Sequence, residues 1–321
     1  MLRISFLALV ALAAALSPPA LASCGAAFCS INTDWAVHGA WTERGLRADL
    51  RFEYVDQDQP QAGSRKVAVG EVPAHHDEVR TLNRNWIASL DYGFDDRWGM
   101  SVTLPVVNRS HEHIHNHMGA QIVETWQFAQ AGDLRVLGRY QFDAVQTAGS
   151  GASSRVGLLF GAKLPTGKFD VRNADGDLAE RSLQPGSGTT DALAGIYYFR
   201  DLPLRDLSWF AQGLVQVPLN ERADYKPGAR LGLDLGIRYH AGEQLALLLQ
   251  ANALFRGRDT GAEAETEDSG GRSLWLSPGL SYSLGSNVQA YAFLQLPLYQ
   301  YVNGVQLVAD YAAVLGLSAS F

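Results

Sequence analysis

The stretch SHEHIHNHMG, residues 110–119, places four histidines, His111, His113, His115 and His117, at every second position in a chain that has eight. Side chains alternate along an extended strand, so an extended chain here turns all four imidazoles to one side and Glu112 and Asn116 to the other. Neutral imidazole is a good ligand for Cu(II), Zn(II) or Ni(II), and three or four at one point complete a first shell. His75 and His76, followed by Asp77 and Glu78, form a second group of the same kind. Two other uses of the histidines stay open: a pH response, since imidazole gains its charge near pH ~6.5, and a solvated polar loop with no specific role. The choice depends on the elements that carry these residues.

The chain has 321 residues, 47% hydrophobic and 18% charged, with a formal charge of -7. An acidic balance without a basic face excludes a nucleic-acid partner. At the amino end Arg3 precedes an apolar run over residues 4–16, followed by the small residues Ala20, Ala22 and Ser23. That run is too short to span a bilayer and is expected to be a signal peptide over residues 1–23. Ala20-Leu21-Ala22 fits ordinary cleavage, which leaves Cys24 free to pair with Cys29 in an oxidising compartment. Leu21-Ala22-Ser23-Cys24 also fits a lipobox, which would put lipid on Cys24.

Beyond residue 45 the apolar pattern has period two. In LRADLRFEY, residues 46–54, Leu46, Ala48, Leu50, Phe52 and Tyr54 share one face, and Arg47, Asp49, Arg51 and Glu53 the other. DLRVLGRYQFDA, residues 133–144, and RLGLDLGIRYH, residues 230–240, repeat the pattern. With the runs that begin near residues 85, 98, 155, 191, 208, 244, 273, 288 and 310, about twelve strands of roughly ten residues emerge, an even number of the length a tilted membrane strand needs.

Connections alternate between long ones, such as residues 56–84, 108–132 and 165–188, and short ones, such as Asp95-Asp96-Arg97 and Ala241-Gly242-Glu243. Short periplasmic turns and long external loops are the pattern of an outer-membrane barrel. Trp86, Tyr92, Phe94, Trp98, Trp209, Tyr239 and Tyr282 sit near strand ends, where interfacial girdles lie. The expected fold is all-β: a transmembrane antiparallel β-barrel of the bacterial outer membrane over residues 46–321, its apolar face against outer-membrane lipid. Its last strand ends in Phe321, similar to the terminal aromatic signature that the barrel assembly machinery reads.

The polar face then lines the lumen with Arg47, Asp49, Arg51, Glu53, Arg135, Arg139, Asp143, Arg230, Asp234 and Arg238. Both signs interleave, which fits a wall stiffened by ion pairs, a polar pathway, or both. Residues 24–45 contain Phe28, Trp35 and Trp41 and are expected to form either a plug in the periplasmic end of the lumen or a periplasmic cap. Cys24, Cys29 and His38 match no zinc spacing. The outward wall positions are Leu, Val, Ala and aromatic, so no catalytic set emerges and an enzyme is not expected.

The segment LPTGKFDVRNADGDLAERSLQPGSGTTDALAGIYYF, residues 164–199, ends one strand in LPTG and opens the next with QPGSGTTD. It resembles the outer-membrane proteins grouped as the putative meta-pathway phenol degradation family. The resemblance implies a barrel that passes small aromatic or apolar compounds. Together these features lead to the expectation of a channel or uptake protein for small solutes, with a His-rich external loop that takes transition metal and no required cofactor. The competing expectation is a closed scaffold that displays a metal-binding or partner-docking surface.

Overall fold

The structure, a computed structural model, describes residues 31–34, 44–73, 77–117, 120–148 and 151–321, with the side chains of 115–117 and 120 left aside. The signal peptide, Cys24, Cys29, His38, His75 and His76 fall outside the described residues.

Fourteen strands follow in order: β1 (Gly45–Gly63), β2 (Arg65–Lys66), β3 (Asp77–Gly93), β4 (Trp98–His117), β5 (Ala120–Ala131), β6 (Leu134–Gln141), β7 (Val145–Gln146), β8 (Ser153–Leu164), β9 (Asp191–Leu202), β10 (Leu207–Pro218), β11 (Arg230–His240), β12 (Leu245–Arg256), β13 (Gly271–Ser283) and β14 (Val288–Ser320). Eleven of them form one antiparallel ring, from β1 through β3, β4, β6 and β8 to β14, and β14 closes it against β1. β14 pairs with β13 through residue 302 and with β1 from there on, turning back at Gly304 in a left-handed conformation. It therefore supplies two staves, and the wall has the twelve that the alternation predicts.

The ring is membrane-spanning because its outward side chains are apolar. On β12, Leu245, Leu247 and Leu249 face out while Ala246, Leu248, Gln250 and Asn252 are buried. Tyr92, Phe94, Trp98, Tyr239 and Tyr282 ring one rim, as an interfacial girdle does. Among the described residues no helix is long enough to cross a membrane, and the crossing is made by strands.

The first two long connections are not loops over most of their length. β1 and β3 extend to Gly63 and from Asp77, and β4 with β5 makes a hairpin that reaches residues 117 and 120. Above the bilayer both faces of a strand meet water or polar neighbours, so apolar alternation stops while the hydrogen-bond ladder continues. β5 and β6 are one stave interrupted at Gly132 and Asp133, where the Gly132 amide donates to the Pro105 carbonyl at 2.8 Å.

Inside the wall an apolar layer joins Leu159, Tyr197, Phe199, Phe210, Leu248, Tyr291 and Phe293. Its aromatic rings lie flat across glycines of the adjoining staves: a Cβ on Gly157 would stand 2.2 Å from the Tyr197 ring, and one on Gly316 would stand 2.2 Å from the Tyr291 ring. Gly157→Ala should therefore cost roughly 1–3 kcal/mol, the usual penalty of overpacking a filled site. Gly242, with nothing within 4 Å of a Cβ, should accept alanine without loss. Urea unfolding of the barrel in micelles, followed by gel mobility, checks both; equal midpoints for the two variants would refute the packing account.

Candidate functional site: the lumen and its external cap

The described part of the amino-terminal segment lies inside the ring. Ile31 is part of the inner apolar layer that includes Leu159, Tyr197 and Phe210. The Asn32 amide donates to Gln250 Oε1 at 3.2 Å, Gln250 Nε2 donates back to the Asn32 carbonyl at 2.7 Å, and Asn32 Nδ2 donates to Asp234 at 3.3 Å. Arg51 reaches Thr33 Oγ1 at 3.2 Å. β1, β11 and β12 thus grip residues 31–34 across the lumen.

Among the described residues two adjoining cavities lie inside the ring. The lower, about 330 Å³, has Arg47, Arg139 and Asp234 on its polar side and Ile31, Leu137, Leu159 and Leu214 on its apolar side. The upper, about 210 Å³, is bounded by Glu53, Arg109, Lys163, Arg181 and Arg256. Arg51, Arg135, Gln216 and Arg230 border both and mark the waist between them.

Most of the wall charges are matched. Arg47 meets Asp91 at 3.2 Å, Arg51 meets Glu53 at 3.0 Å, Arg256 meets Asp259 at 2.6 Å, and the Tyr291 hydroxyl donates to Asp49 at 2.8 Å. Lys163 stands 2.7 Å from Asp133 and 3.3 Å from Asp191. The interleaving read from the sequence is, for these residues, a set of pairs. Arg139, Asp234 and Arg238 also lie on inward positions, as parity requires. Asp143 departs from the expected lumen set: it lies past the end of β6, where the strand has left the ring, and pairs with Arg97 at 2.7 Å on the short-turn rim.

The residues that carry the family resemblance pin the connection 165–190 onto this wall. Asp133 accepts the Gly167 amide at 3.0 Å and the Ser187 amide at 3.0 Å, while Ser187 Oγ also contacts Lys163 Nζ. Gly167 and Gly186 touch so closely that a Cβ on Gly167 would stand 2.8 Å from the Gly186 Cα. Gln184 closes the loop internally, accepting the Val171 amide at 2.9 Å and donating to the Ala179 carbonyl at 2.7 Å. LPTG and QPGSGTTD thus fold a loop inward over the upper cavity, which explains why those residue types stand there.

Under that loop lie the first two histidines. The sequence suggests an exposed loop, but His111 and His113 sit on β4 and are only 1% and 3% exposed. They are covered because the hairpin stands above the shorter β8 and the connection 165–190 packs against its inner face, Trp126 Nε1 donating to the Asp177 carbonyl at 3.1 Å. His111 Nδ1 lies 2.8 Å from Thr81 Oγ1, and His113 Nε2 lies 2.9 Å from Glu124. The Trp126 ring is centred 4.8 Å from that of His113. Among the described residues no group of three or more His, Cys, Asp and Glu side chains is arranged to hold a metal ion. The backbone of His115 and His117 continues β4 to the hairpin tip.

Beyond His113 the cap holds carboxyl groups that no period marks. Glu180 Oε1 lies 3.7 Å from His113 Nδ1. The carboxyl groups of Glu180 and Glu265, from two different external connections, face each other closely enough to share a proton, with Glu78, Glu124 and Asp268 near the pair. Burial pushes the Glu180 carboxyl up to about 8, with Asp268 and Glu124 adding to the rise and the proton shared with Glu265 opposing it. Burial and then the charge of Glu180 push Glu265 well above the ordinary carboxyl range. Arg109 and Arg256 are legible as inward positions of β4 and β12; Glu180, Arg181 and Glu265 lie in connections and carry no periodic signal.

The family model described as "Putative MetA-pathway of phenol degradation" matches residues 78–304. The COG4313 outer membrane channel from Pseudomonas putida F1 superposes with a TM-score of 0.65 at 12% identity, over 91% of this chain and 99% of that one. The NanC porin superposes with a TM-score of 0.45 at 12% identity, over 85% and 100% of the two chains. At 12% identity the likeness to the COG4313 channel is one of fold. No curated protein sequence matches the chain.

Proposed function

The chain belongs to the family described as "Putative MetA-pathway of phenol degradation", and from that premise we propose that it is an outer-membrane channel for the uptake of small solutes. The observation that carries this is a pair of cavities, about 330 Å³ and about 210 Å³, stacked inside a closed ring and sharing Arg51, Arg135, Gln216 and Arg230 as their common border. A scaffold that served only to display its loops would gain nothing from such a chamber, and filling it with side chains would make the barrel more stable.

In this account a solute enters beneath the connection 165–190, crosses the waist, and meets the leucines and Ile31 of the lower cavity. Residues 31–34 close the way onward until their hydrogen bonds break. The family's description fits a small aromatic or apolar body, for which the apolar side of the lower cavity is a suitable surface. No catalytic role is assigned.

The test is flux. Protein refolded into liposomes should pass small organic solutes faster than protein-free liposomes, and a planar bilayer should show discrete current steps. A barrel that is silent by both measures would overturn the channel in favour of the scaffold.

A further inference from the structure

We propose that Arg135 and Arg230 form a binding site for the carboxylate of an organic acid with a small apolar body, of the benzoate class, a proposal that rests on the channel account above. The two guanidiniums project from β6 and β11 into the border between the cavities. Three wall cations near them are matched by a carboxylate, Arg47 by Asp91, Arg51 by Glu53 and Arg256 by Asp259, and Arg181 donates to the carbonyls of Ser187 and Arg222. Arg135 has only the neutral Gln216 Oε1, at 3.2 Å. Arg230 makes no hydrogen bond and no ion pair with any described residue, and Asp259, whose charge acts on it, is itself paired with Arg256 at 2.6 Å.

Asp191, whose charge acts on Arg135, is taken up by other partners. Asp191 is held by Lys163 at 3.3 Å, by the Thr189 hydroxyl at 2.7 Å and by Gln216 Nε2 at 2.6 Å. Gln216 thus stands between Asp191 and Arg135, donating to the first and accepting from the second. Two like charges converging in a low-dielectric enclosure repel each other and lose hydration, and an anion placed between them relieves both costs. Arginine suits this role because its planar fork meets a carboxylate with two parallel N–H donors.

The surroundings select what the carboxylate is attached to. Below the waist the cavity turns Leu137, Leu159, Leu193, Leu214, Leu254 and Ile31 toward the same space. A carboxylate at the arginines therefore places an attached ring or short alkyl chain against leucines, so the site rewards an amphiphilic anion over either half alone. An inorganic anion would leave the leucines exposed to water, and a neutral aromatic would leave the guanidiniums unmatched.

The test is titration calorimetry on the full barrel in detergent with three probes: benzoate, benzyl alcohol as its neutral counterpart, and inorganic phosphate. Benzoate should bind more tightly than either. Arg135→Gln with Arg230→Gln should weaken benzoate by about tenfold or more, the loss expected of charge-assisted hydrogen bonds, and leave benzyl alcohol unchanged. Arg230→Gln alone, which breaks no hydrogen bond or ion pair and leaves Asp259 with Arg256, keeps the test sound if the double variant folds poorly, and should weaken benzoate in the same direction. Benzoate affinity that ignores both variants, or benzyl alcohol or phosphate binding as tightly as benzoate, would overturn the site. Benzoate flux into liposomes is read separately: binding without flux overturns the channel and leaves the site standing, and flux with arginine-independent binding does the reverse.

Discussion

Replacing Gln250 with alanine should raise the fraction of time the barrel spends conducting by about thirtyfold. Gln250 accepts from the Asn32 amide at 3.2 Å and donates to the Asn32 carbonyl at 2.7 Å, so one side chain satisfies both backbone groups of Asn32 within the lumen. Each such bond contributes about 1 kcal/mol net, and about 1.4 kcal/mol shifts an equilibrium tenfold. Losing the pair moves the balance between seated and released segment by about 2 kcal/mol, or about thirtyfold. Asn252, the other neighbour of Gln250, keeps its bond to Asp234 at 2.8 Å, so the wall itself should hold. Single-channel recording of wild type and Gln250→Ala reads the open fraction directly. An unchanged fraction would show that residues 31–34 do not limit passage.

The second large effect concerns pH and the external cap. Glu180 and Glu265 can share a hydrogen bond only while at least one of them keeps a proton. Glu180 is raised from 4.5 to about 8, and Glu265 is raised as well. The folded cap therefore holds protons that the detached connections would release, and its stability is fully present below the ordinary carboxyl range. That stability is lost as pH rises from there through about 8, the direction set by the raised pKa of the folded state. Over this window the cost is on the order of a few kcal/mol, enough to loosen two connections that meet at this pair. Limited proteolysis of the connections 165–190 and 257–270 should accelerate between pH ~6 and pH ~9 in the wild type. Glu180→Gln with Glu265→Gln replaces the pair by amides that donate and accept at any pH, and should flatten the profile. A double variant that loosens over the same interval would place the pH response elsewhere.

The wall of this protein was legible in its sequence. Period-two alternation in segments such as residues 46–54 and 230–240 follows from lipid on one side and a polar lumen on the other, and that contrast gave the strand starts, the short turns and the girdle. The alternation also named the inward charges Arg47, Arg51, Arg135 and Arg230, because parity alone decides the face of a strand. It failed at residues 56–84 and 108–132, where the strands rise out of the bilayer and the contrast that marks them disappears. Histidines 111 and 113 looked exposed for the same reason.

Only the tertiary structure decided what these residues do together. Pairing between staves brings Arg47 to Asp91, 44 positions away, and Tyr291 to Asp49, 242 positions away. It leaves Arg230 without such a match, although its local pattern is no different. Glu180 meets Glu265 because two connections fold over one mouth, a closure that no local rule encodes. A sequence fixes which face a strand residue takes, since that is set by its immediate neighbours. Which charges cancel, which histidines are covered and which arginines lack a carboxylate partner depend on residues far apart along the chain, brought together when the ring closes.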